Sequence, residues 1–554
     1  MTPTPSPALV TQRAVQRLPR LALVLFCAAY VLPGLFGRDP WRNADQSAFG
    51  YMLAMAEGRT GWLAPTIGGL SPDNAVLPHW LGALSIWLLS PWVDAPMAAR
   101  IPFGLLLAGV LALTWYTAFQ LARTQAAQPV AFAFGGEAAP VDYARAVADG
   151  ALLALIASLG LLQLGHETTP ELVQLFAATM ALWACAAALS RGWSARLAML
   201  AGLPLLAASG APTMATLFGI AVSAISARST YAAGRGFAPW AILATGLAAL
   251  LAWALGTWAW RVGLEPTAAQ GLQLLRLWLW FLWPVWLLAL WTLWRWRRHM
   301  AKRHISLPVA LVAVSLLACI AGGGFDRALM IGLPAFAVLA AFALPTLQRG
   351  TAAAIDWFSV FFFSIASLAI WIIYAAMVTG TPARTAANVV KLAPGFAMQF
   401  AWLPFTLALT ASVAWLYLVR WRTGRHQHAL WKSLVLPAGG VALAWLLLMT
   451  LWLPVLDYAR SNRPWAGQLK PLVPVGACIA APGYSRSAVA ALEQYGRWRV
   501  EAAGSAVAST CNVMLQQERR GQPPATVPAG WELVARIRRP TDRDETTQVL
   551  RRLH

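Results

Sequence analysis

The 554-residue chain is far more apolar than a soluble protein of its length. Hydrophobic residues make up 59% of it and charged residues only 11%, against roughly 45–50% and about 25% in soluble domains. This composition excludes a soluble globular enzyme, a disordered chain and a coiled coil, and it predicts an all-α polytopic membrane protein. The net charge of +21 is spread over short clusters between apolar runs. That pattern favours cytoplasmic membrane loops over a nucleic-acid-binding patch.

Apolar segments of the length that crosses a bilayer recur along the chain. The first follows Arg13, Arg17 and Arg20, which predicts a cytoplasmic N-terminus (1–19) and an uncleaved anchor. Basic residues then fall in alternate loops, so the N-terminus is predicted inside and the C-terminus outside. About 13 transmembrane helices are predicted, near 20–37, 98–122, 146–165, 171–190, 197–209, 213–227, 239–260, 276–294, 306–322, 328–346, 357–377, 398–419 and 433–453.

The predicted membrane domain (20–453) contains one long periplasmic loop, 38–97. Its apolar pieces, 48–57 and 79–93, are predicted to be interfacial helices, because a crossing at 79–93 would place every later basic loop outside. Residues 454–554 are polar and predict a small periplasmic α/β domain, with strands at 475–482, 497–504 and 531–539 and a helix at 485–496.

Two cysteines, Cys478 and Cys511, lie in the predicted periplasmic domain. An oxidising periplasm permits a disulfide between them, and a pair of free thiols is the open alternative.

The first outer loop is rich in acidic residues for so apolar a chain. Asp45 precedes a predicted helix and suits a general base that activates an acceptor hydroxyl. Its alternative role is to cap the N-terminus of that helix. Asp73 begins a Ser-Pro-Asp-Asn turn. Arg42 and His79 are the basic candidates in the same loop.

The order of motifs in this loop resembles the GT-C glycosyltransferases. The matching stretches are Trp41-Arg-Asn-Ala-Asp-Gln-Ser-Ala-Phe, Gly61-Trp-Leu-Ala-Pro, Asp73-Asn-Ala-Val-Leu-Pro-His-Trp and a following Ala-x-Arg-Ile-Pro. Within that fold the loop is most similar to the polyprenyl-phosphate-sugar group, which includes the lipid A aminoarabinose transferase and the protein O-mannosyltransferases. The resemblance implies a GT-C membrane domain followed by a periplasmic C-terminal domain.

The resemblance also assigns roles to single positions. It makes Asp45 the essential loop aspartate and Gln46 the substitute for the glutamate that follows it. Asp73 takes the place of a glutamate beside the donor phosphate or a divalent metal ion. Asn74 stands where the family has a phosphate-binding lysine, and His79 where it has an aromatic residue.

Charged residues of later outer loops are further donor or acceptor contacts. The resemblance implies that Glu167 or Glu171 lines the sugar pocket, although Glu171 also suits the dipole of the helix that it begins. It implies that Arg327 binds a polyprenyl phosphate, with a surface ion pair to Asp326 as the alternative. Weaker phosphate candidates, which alternatively contact anionic lipid headgroups, are Arg261, Glu265, Arg384 and Lys391.

The resemblance thus implies an inner-membrane glycosyltransferase. It would move a sugar from an undecaprenyl-phosphate donor to a lipid or glycan acceptor, such as lipid A in lipopolysaccharide, on the periplasmic side. The alternative is a lipid or glycan carrier (a flippase or exporter) or a catalytically silent scaffold, but the spans hold few of the ionisable residues that transporters need. We expect Asp45, Asp73 and Arg327 to face one pocket; otherwise the two aspartates point apart into water.

Overall fold

The computed structural model of the chain describes residues 6–73, 75–258, 263, 267–424, 429–504, 509–521, 526–542 and 544–553. Its α-helices are α1 (Arg20–Val31), α2 (Ala44–Ala56), α3 (Leu77–Leu89), α4 (Ala95–Ala122), α5 (Pro140–Ile156), α6 (Leu159–Leu164), α7 (Pro170–Ala187), α8 (Gly192–Ala208), α9 (Pro212–Ala227), α10 (Ala232–Ala254), α11 (Ala268–Phe281), α12 (Val285–Arg295), α13 (Arg303–Ala321), α14 (Asp326–Ala343), α15 (Arg349–Thr379), α16 (Ala383–Leu392), α17 (Trp402–Thr423), α18 (Lys432–Leu451), α19 (Leu453–Arg460), α20 (Arg463–Leu469) and α21 (Arg486–Ala491). Its strands are β1 (Cys478–Ala480), β2 (Arg499–Glu501), β3 (Val513–Arg519), β4 (Trp531–Arg538) and β5 (Glu545–Arg552).

Each predicted span coincides with a helix or with a broken pair of helices. In the described residues, eight helices are long and apolar enough to cross a membrane, or nine spans if the bent pair α11–α12 is one. The eight are α4, α7, α10, α13, α14, α15, α17 and α18. Helices α1, α5, α8 and α9 are shorter, with 12 to 17 residues. The prediction of a polytopic helical membrane protein with a small C-terminal sheet domain is confirmed.

Two predicted spans are not continuous helices. The span at 276–294 is the pair α11–α12, which bends by 93° where Pro284 lacks the N–H that a continuous helix needs. The span at 146–165 consists of α5 and α6, which are separated by Ala157 and Ser158.

The chain folds as two compact units. The first comprises the chain up to Pro33, Gly104–Ser367 and Leu407–Leu447. Its central element is α14, which is almost wholly buried and packs against α5, α7, α12 and α13. Small residues permit this close approach. At Gly332, for example, any side chain would collide with Ser315.

The second unit comprises Gly34–Phe103, Leu368–Thr406 and the chain from Leu448 onward. Its five-stranded sheet has the order β2-β1-β3-β5-β4, with β1 parallel to β2 and β3 and with β5 antiparallel to β3 and β4. The predicted strands and the predicted helix are confirmed, while β3 and β5 were not predicted. Cys478 and Cys511 form a disulfide. The boundary predicted at 453/454 concerns the bilayer and stays a prediction.

The first outer loop packs onto the C-terminal sheet domain within this second unit. Helix α2 packs against α3 and α21, and a side chain at Gly50 would collide with Ala490. The carbonyl oxygen of Gly68 accepts hydrogen bonds from the N–H groups of Ala502 (2.9 Å) and Ala503 (3.1 Å). Helix α2 begins four residues earlier than predicted and is buried on nearly all sides. It is therefore a core helix of this unit, and its location at the membrane interface stays a prediction.

Candidate active site

A buried ion pair lies where the chain enters α2. Arg38 Nη2 donates to Asp45 Oδ2 (3.3 Å), and both side chains are almost fully enclosed. The same oxygen accepts the backbone N–H of Trp41 (3.2 Å). The residue before the helix is Asn43, which makes no side-chain cap bond. Asp45 is the second residue of the helix, and its carboxylate accepts a hydrogen bond from Trp41, which precedes the helix. The alternative that Asp45 caps the helix was therefore wrong.

More charged side chains surround this pair. Arg463 Nε donates to Asp39 Oδ2 (2.9 Å). Trp41 Nε1 and the Asp39 N–H donate to the two oxygens of Asp457, at 2.8 and 3.2 Å. The guanidinium of Arg38 lies over one ring of Trp41 at 4.8 Å, and that of Arg460 lies 4.9 Å from the same ring.

Arg100 completes the group, which we call the loop cluster: Arg38, Asp39, Trp41, Asp45, Arg100, Asp457, Arg460 and Arg463. Arg100 is buried and interacts electrostatically with Arg38, Asp45, Asp39 and Asp457. Its Nε has no hydrogen-bond partner among the described residues. Four arginines face three aspartates, so the cluster has an excess of positive charge and suits an anionic ligand.

Asp457 gives the loop cluster a pH dependence. Burial, together with the nearby charge of Asp39, raises its pKa to about 7, whereas an unfolded aspartate titrates near pKa ~3.9. Between these values the folded state holds a proton that the unfolded state has lost. This contribution to stability is complete below pH ~4 and disappears as the pH rises through ~7.

We therefore expect the melting temperature of the Asp457→Asn variant to decrease less between pH 5 and 8 than that of the wild type. Thermal unfolding of the purified protein in detergent measures this slope. Asp94→Asn, which changes an exposed carboxylate outside the cluster, should keep the wild-type slope. Equal slopes for wild type and Asp457→Asn would contradict the assignment.

The other candidates of the first loop have structural partners in the second unit. Gln46 Nε2 donates to Gln494 Oε1 (2.9 Å), and Arg42 Nη1 donates to Asp542 Oδ2 (3.3 Å). His79 is buried and packs its ring against Tyr51, with 5.4 Å between ring centroids. Burial lowers the pKa of His79 to about 4, so this ring is neutral and adds no cation at pH 7.

Asp73 lies in a different environment from Asp45. Its side chain is 63% exposed and accepts a hydrogen bond from Arg486 Nη1 (2.9 Å). Within the described residues, the one group of three potential metal ligands is Cys478, Glu501 and Cys511, and two of these form the disulfide. No described pair of ligands therefore joins Asp73 to hold a metal ion. Asn74 lies outside the described residues.

A second charged group lies in the first unit, at the start of α14. Arg327 Nη2 donates to Glu167 Oε2 (2.6 Å), and Nη1 donates to Thr169 Oγ1 (3.0 Å) and lies 3.5 Å from Glu171 Oε2. All three charged side chains are largely buried. The structure thus brings together three predicted site residues, and the alternative pairing of Arg327 with Asp326 was wrong.

The remaining candidates fall outside these groups. Lys391 is exposed at the end of α16, a helix that buries no residue. Arg261 and Glu265 lie outside the described residues. Arg327 belongs to the first unit and the two aspartates to the second, so the pocket shared by Asp45, Asp73 and Arg327 stays a prediction.

The sequence did not single out six charged members of the loop cluster: Arg38, Asp39, Arg100, Asp457, Arg460 and Arg463. A signal was available for Arg100, because a charged residue within an apolar helix of a membrane protein is costly and therefore marks a functional site. Asp457 carried no comparable signal, since it lies just after the last span, where charged residues are ordinary.

The comparisons with known proteins identify the fold. No protein-family model matches the chain, and no curated protein matches it. Two solved structures of ArnT from Cupriavidus metallidurans do, each over 96% of this chain and 98% of that chain at 12% sequence identity. The TM-score is 0.62 for the apo state and 0.59 for the complex with undecaprenyl phosphate. The chain is therefore a polytopic membrane protein with the GT-C fold of the ArnT structures.

Proposed function

We propose that the chain is an inner-membrane glycosyltransferase that takes a sugar from a polyprenyl-phosphate donor and transfers it to a lipid or glycan acceptor. The observation that carries the proposal is the pair of buried arginines of the loop cluster, Arg38 and Arg100, beside Asp45 on a GT-C fold. Buried charges are expensive in a membrane protein and are retained where they serve a substrate. The ArnT structure in complex with undecaprenyl phosphate supports the class of donor.

The loop cluster supplies positive charge in place of the phosphate-binding lysine that the family has at the position of Asn74. The family lysine is replaced by Asn74, but Arg100 and Arg38 lie beside Asp45 in the folded protein. In our proposal the donor phosphate binds these guanidinium groups, which form charge-assisted hydrogen bonds with phosphate oxygens. They then stabilise the charge that develops on the polyprenyl phosphate as it leaves.

Asp45 is the proposed catalytic carboxylate. With an acceptor hydroxyl it would remove the proton, and with a phosphate acceptor it would act by orienting the acceptor. The second charged group, formed by Arg327, Glu167 and Glu171, is proposed to line the donor pocket. Its two carboxylates suit hydrogen bonding to sugar hydroxyls.

The proposed orientation follows from charge. Arginine and lysine clusters in alternate loops favour a cytoplasmic N-terminus, so that the first outer loop and residues 454–554 lie in the periplasm. The disulfide between Cys478 and Cys511 agrees with an oxidising compartment. The acceptors that we propose on that side include lipid A in lipopolysaccharide.

Mass spectrometry of envelope glycolipids from cells with and without the protein tests this function. We expect one lipid or glycan to carry an additional sugar mass when the protein is present. The purified protein should then transfer that sugar from its undecaprenyl-phosphate donor. Arg100→Gln should reduce this transfer at least ~10-fold, because one buried charge-assisted contact is worth about 1.5–3 kcal/mol.

Arg520→Gln is the matched control, since it removes an exposed arginine of the same unit and should leave transfer unchanged. An unmodified donor that appears on the opposite membrane face, without any transfer, would instead establish a carrier. Full transfer by Arg100→Gln would remove the loop cluster from the donor site.

A further inference from the structure

An apolar groove lies in the first unit between α12, α15 and α18. It has a volume of about 360 Å³. Its walls include Trp283 and Leu287 beside α12, Phe358 and Phe363 on α15, and Pro437 on α18. Ser359 is one of two hydroxyl side chains in the lining, and it donates to the carbonyl oxygen of Ile355 (2.7 Å). The groove thus suits a hydrocarbon chain and no polar ligand.

The groove is long rather than round. Its lining residues on α15 extend from Thr351 to Phe363, and twelve residues of α-helix span about 18 Å. Phe358 is 46% exposed and Leu287 is 43% exposed, so the groove opens on the outer surface of the helices. That surface faces lipid in a membrane protein, which makes an acyl chain of the bilayer the available occupant.

One end of the groove carries a cluster of positive charge. Arg349 is exposed two residues before Thr351, and Lys432 lies two residues before Leu434, another lining residue. Lys432 interacts electrostatically with Arg349, Arg422 and Asp356, and Arg422 pairs with Asp356. Three cations around one carboxylate leave an excess of two positive charges at this end.

The groove is separate from the charged group at Arg327. Arg327 is the second residue of α14, whereas Leu347, which lines the groove, follows the opposite end of that helix. The 18 residues of α14 correspond to about 27 Å, which is close to the thickness of the hydrocarbon core. The charge pattern of the loops predicts the groove end at Arg349 and Lys432 to be cytoplasmic.

We propose that this groove binds an anionic glycerophospholipid of the cytoplasmic leaflet, with one acyl chain in the groove and the phosphate at Arg349 and Lys432. Any lipid chain fills an apolar groove in a bilayer, so the selectivity comes from the headgroup. Basic pockets between transmembrane helices on the cytoplasmic side hold anionic headgroups in this manner. The proposal is independent of the proposed transferase activity, because it concerns binding alone.

Native mass spectrometry of the delipidated, full-length protein tests the site. Phosphatidylglycerol, phosphatidylethanolamine with the same chains, and undecaprenyl phosphate are the three probes. We expect phosphatidylglycerol to bind about tenfold more tightly than phosphatidylethanolamine. The double variant Arg349→Gln/Lys432→Gln should abolish this preference. Ala354→Trp, which fills the groove, should weaken the binding of both phospholipids.

Matched controls separate the groove from the general surface. Arg191→Gln/Arg228→Gln removes two exposed arginines of other predicted cytoplasmic loops, and Ala353→Trp adds the same bulk to α15 at a residue that does not line the groove. Both should keep the lipid preference. Three results would overturn the proposal. The wild type could bind the two phospholipids equally, or Arg349→Gln/Lys432→Gln could keep the preference. The third result is that Ala354→Trp loses the binding of undecaprenyl phosphate instead of the phospholipids.

Discussion

Replacement of Asp45 by Asn is expected to reduce sugar transfer about 100-fold or more and to lower the free energy of unfolding by about 3–5 kcal/mol. The stability falls because Arg38 is fully enclosed, and the neutral asparagine no longer balances its positive charge as Asp45 does. Asparagine retains an oxygen for the N–H of Trp41, so the local backbone is kept. Thermal unfolding and transfer assays on the same preparation measure the two effects.

A double variant separates catalysis from folding. Replacing a buried ion pair by apolar residues of similar volume is often neutral for stability. Arg38→Met/Asp45→Asn should therefore unfold near the wild-type temperature and still fail to transfer sugar, because it leaves neither charge of the pair and keeps an acceptor for the N–H of Trp41. Asp94→Asn should behave as wild type in both assays. A stable double variant with full transfer would show that the pair has only a structural role.

Replacement of Arg327 by Met is expected to lower the free energy of unfolding by about 3–5 kcal/mol, because it leaves two buried carboxylates together without a cation. Glu171→Gln should cost much less, since Arg327 keeps its shorter contact of 2.6 Å to Glu167. Thermal unfolding in detergent compares the two variants. A melting temperature of Arg327→Met equal to that of wild type would contradict the role given to this ion pair.

The same variants test whether Arg327 contacts the donor phosphate. Glu171→Gln removes one of two carboxylates beside Arg327, so repulsion of an incoming phosphate falls. If Arg327 is a phosphate ligand, this variant binds undecaprenyl phosphate more tightly than wild type in a direct binding assay. Weaker or equal binding would assign the group to the sugar instead.

Several features could be read from the sequence because they depend on local composition and spacing. Long apolar runs locate the spans, since about 20 residues of helix cross a bilayer whatever their partners. The alternating pattern at Trp531–Arg538 predicted a strand that the structure has. Strand β3, by contrast, reads Val-Met-Leu-Gln-Gln-Glu-Arg, and its polar second half shows no alternation.

The contacts of the candidate site residues depend on the tertiary structure. The first-loop motifs identified Asp45, but its place in the hydrogen-bonded start of α2 depends on a backbone that bends back to Trp41. Arg327 was paired wrongly from the sequence, because Asp326 is adjacent in sequence while Glu167 is 160 positions away.

The sequence by itself determined the membrane class, the apolar helical segments and the GT-C resemblance, because each depends on residue types within a short stretch. Only the tertiary structure decided which charges meet. Trp41 and Asp457 are 416 positions apart, and Asp39 and Arg463 are 424 apart. Contacts across such distances are chosen by the packing of whole elements, since burying a charge is tolerated only where another element supplies its partner.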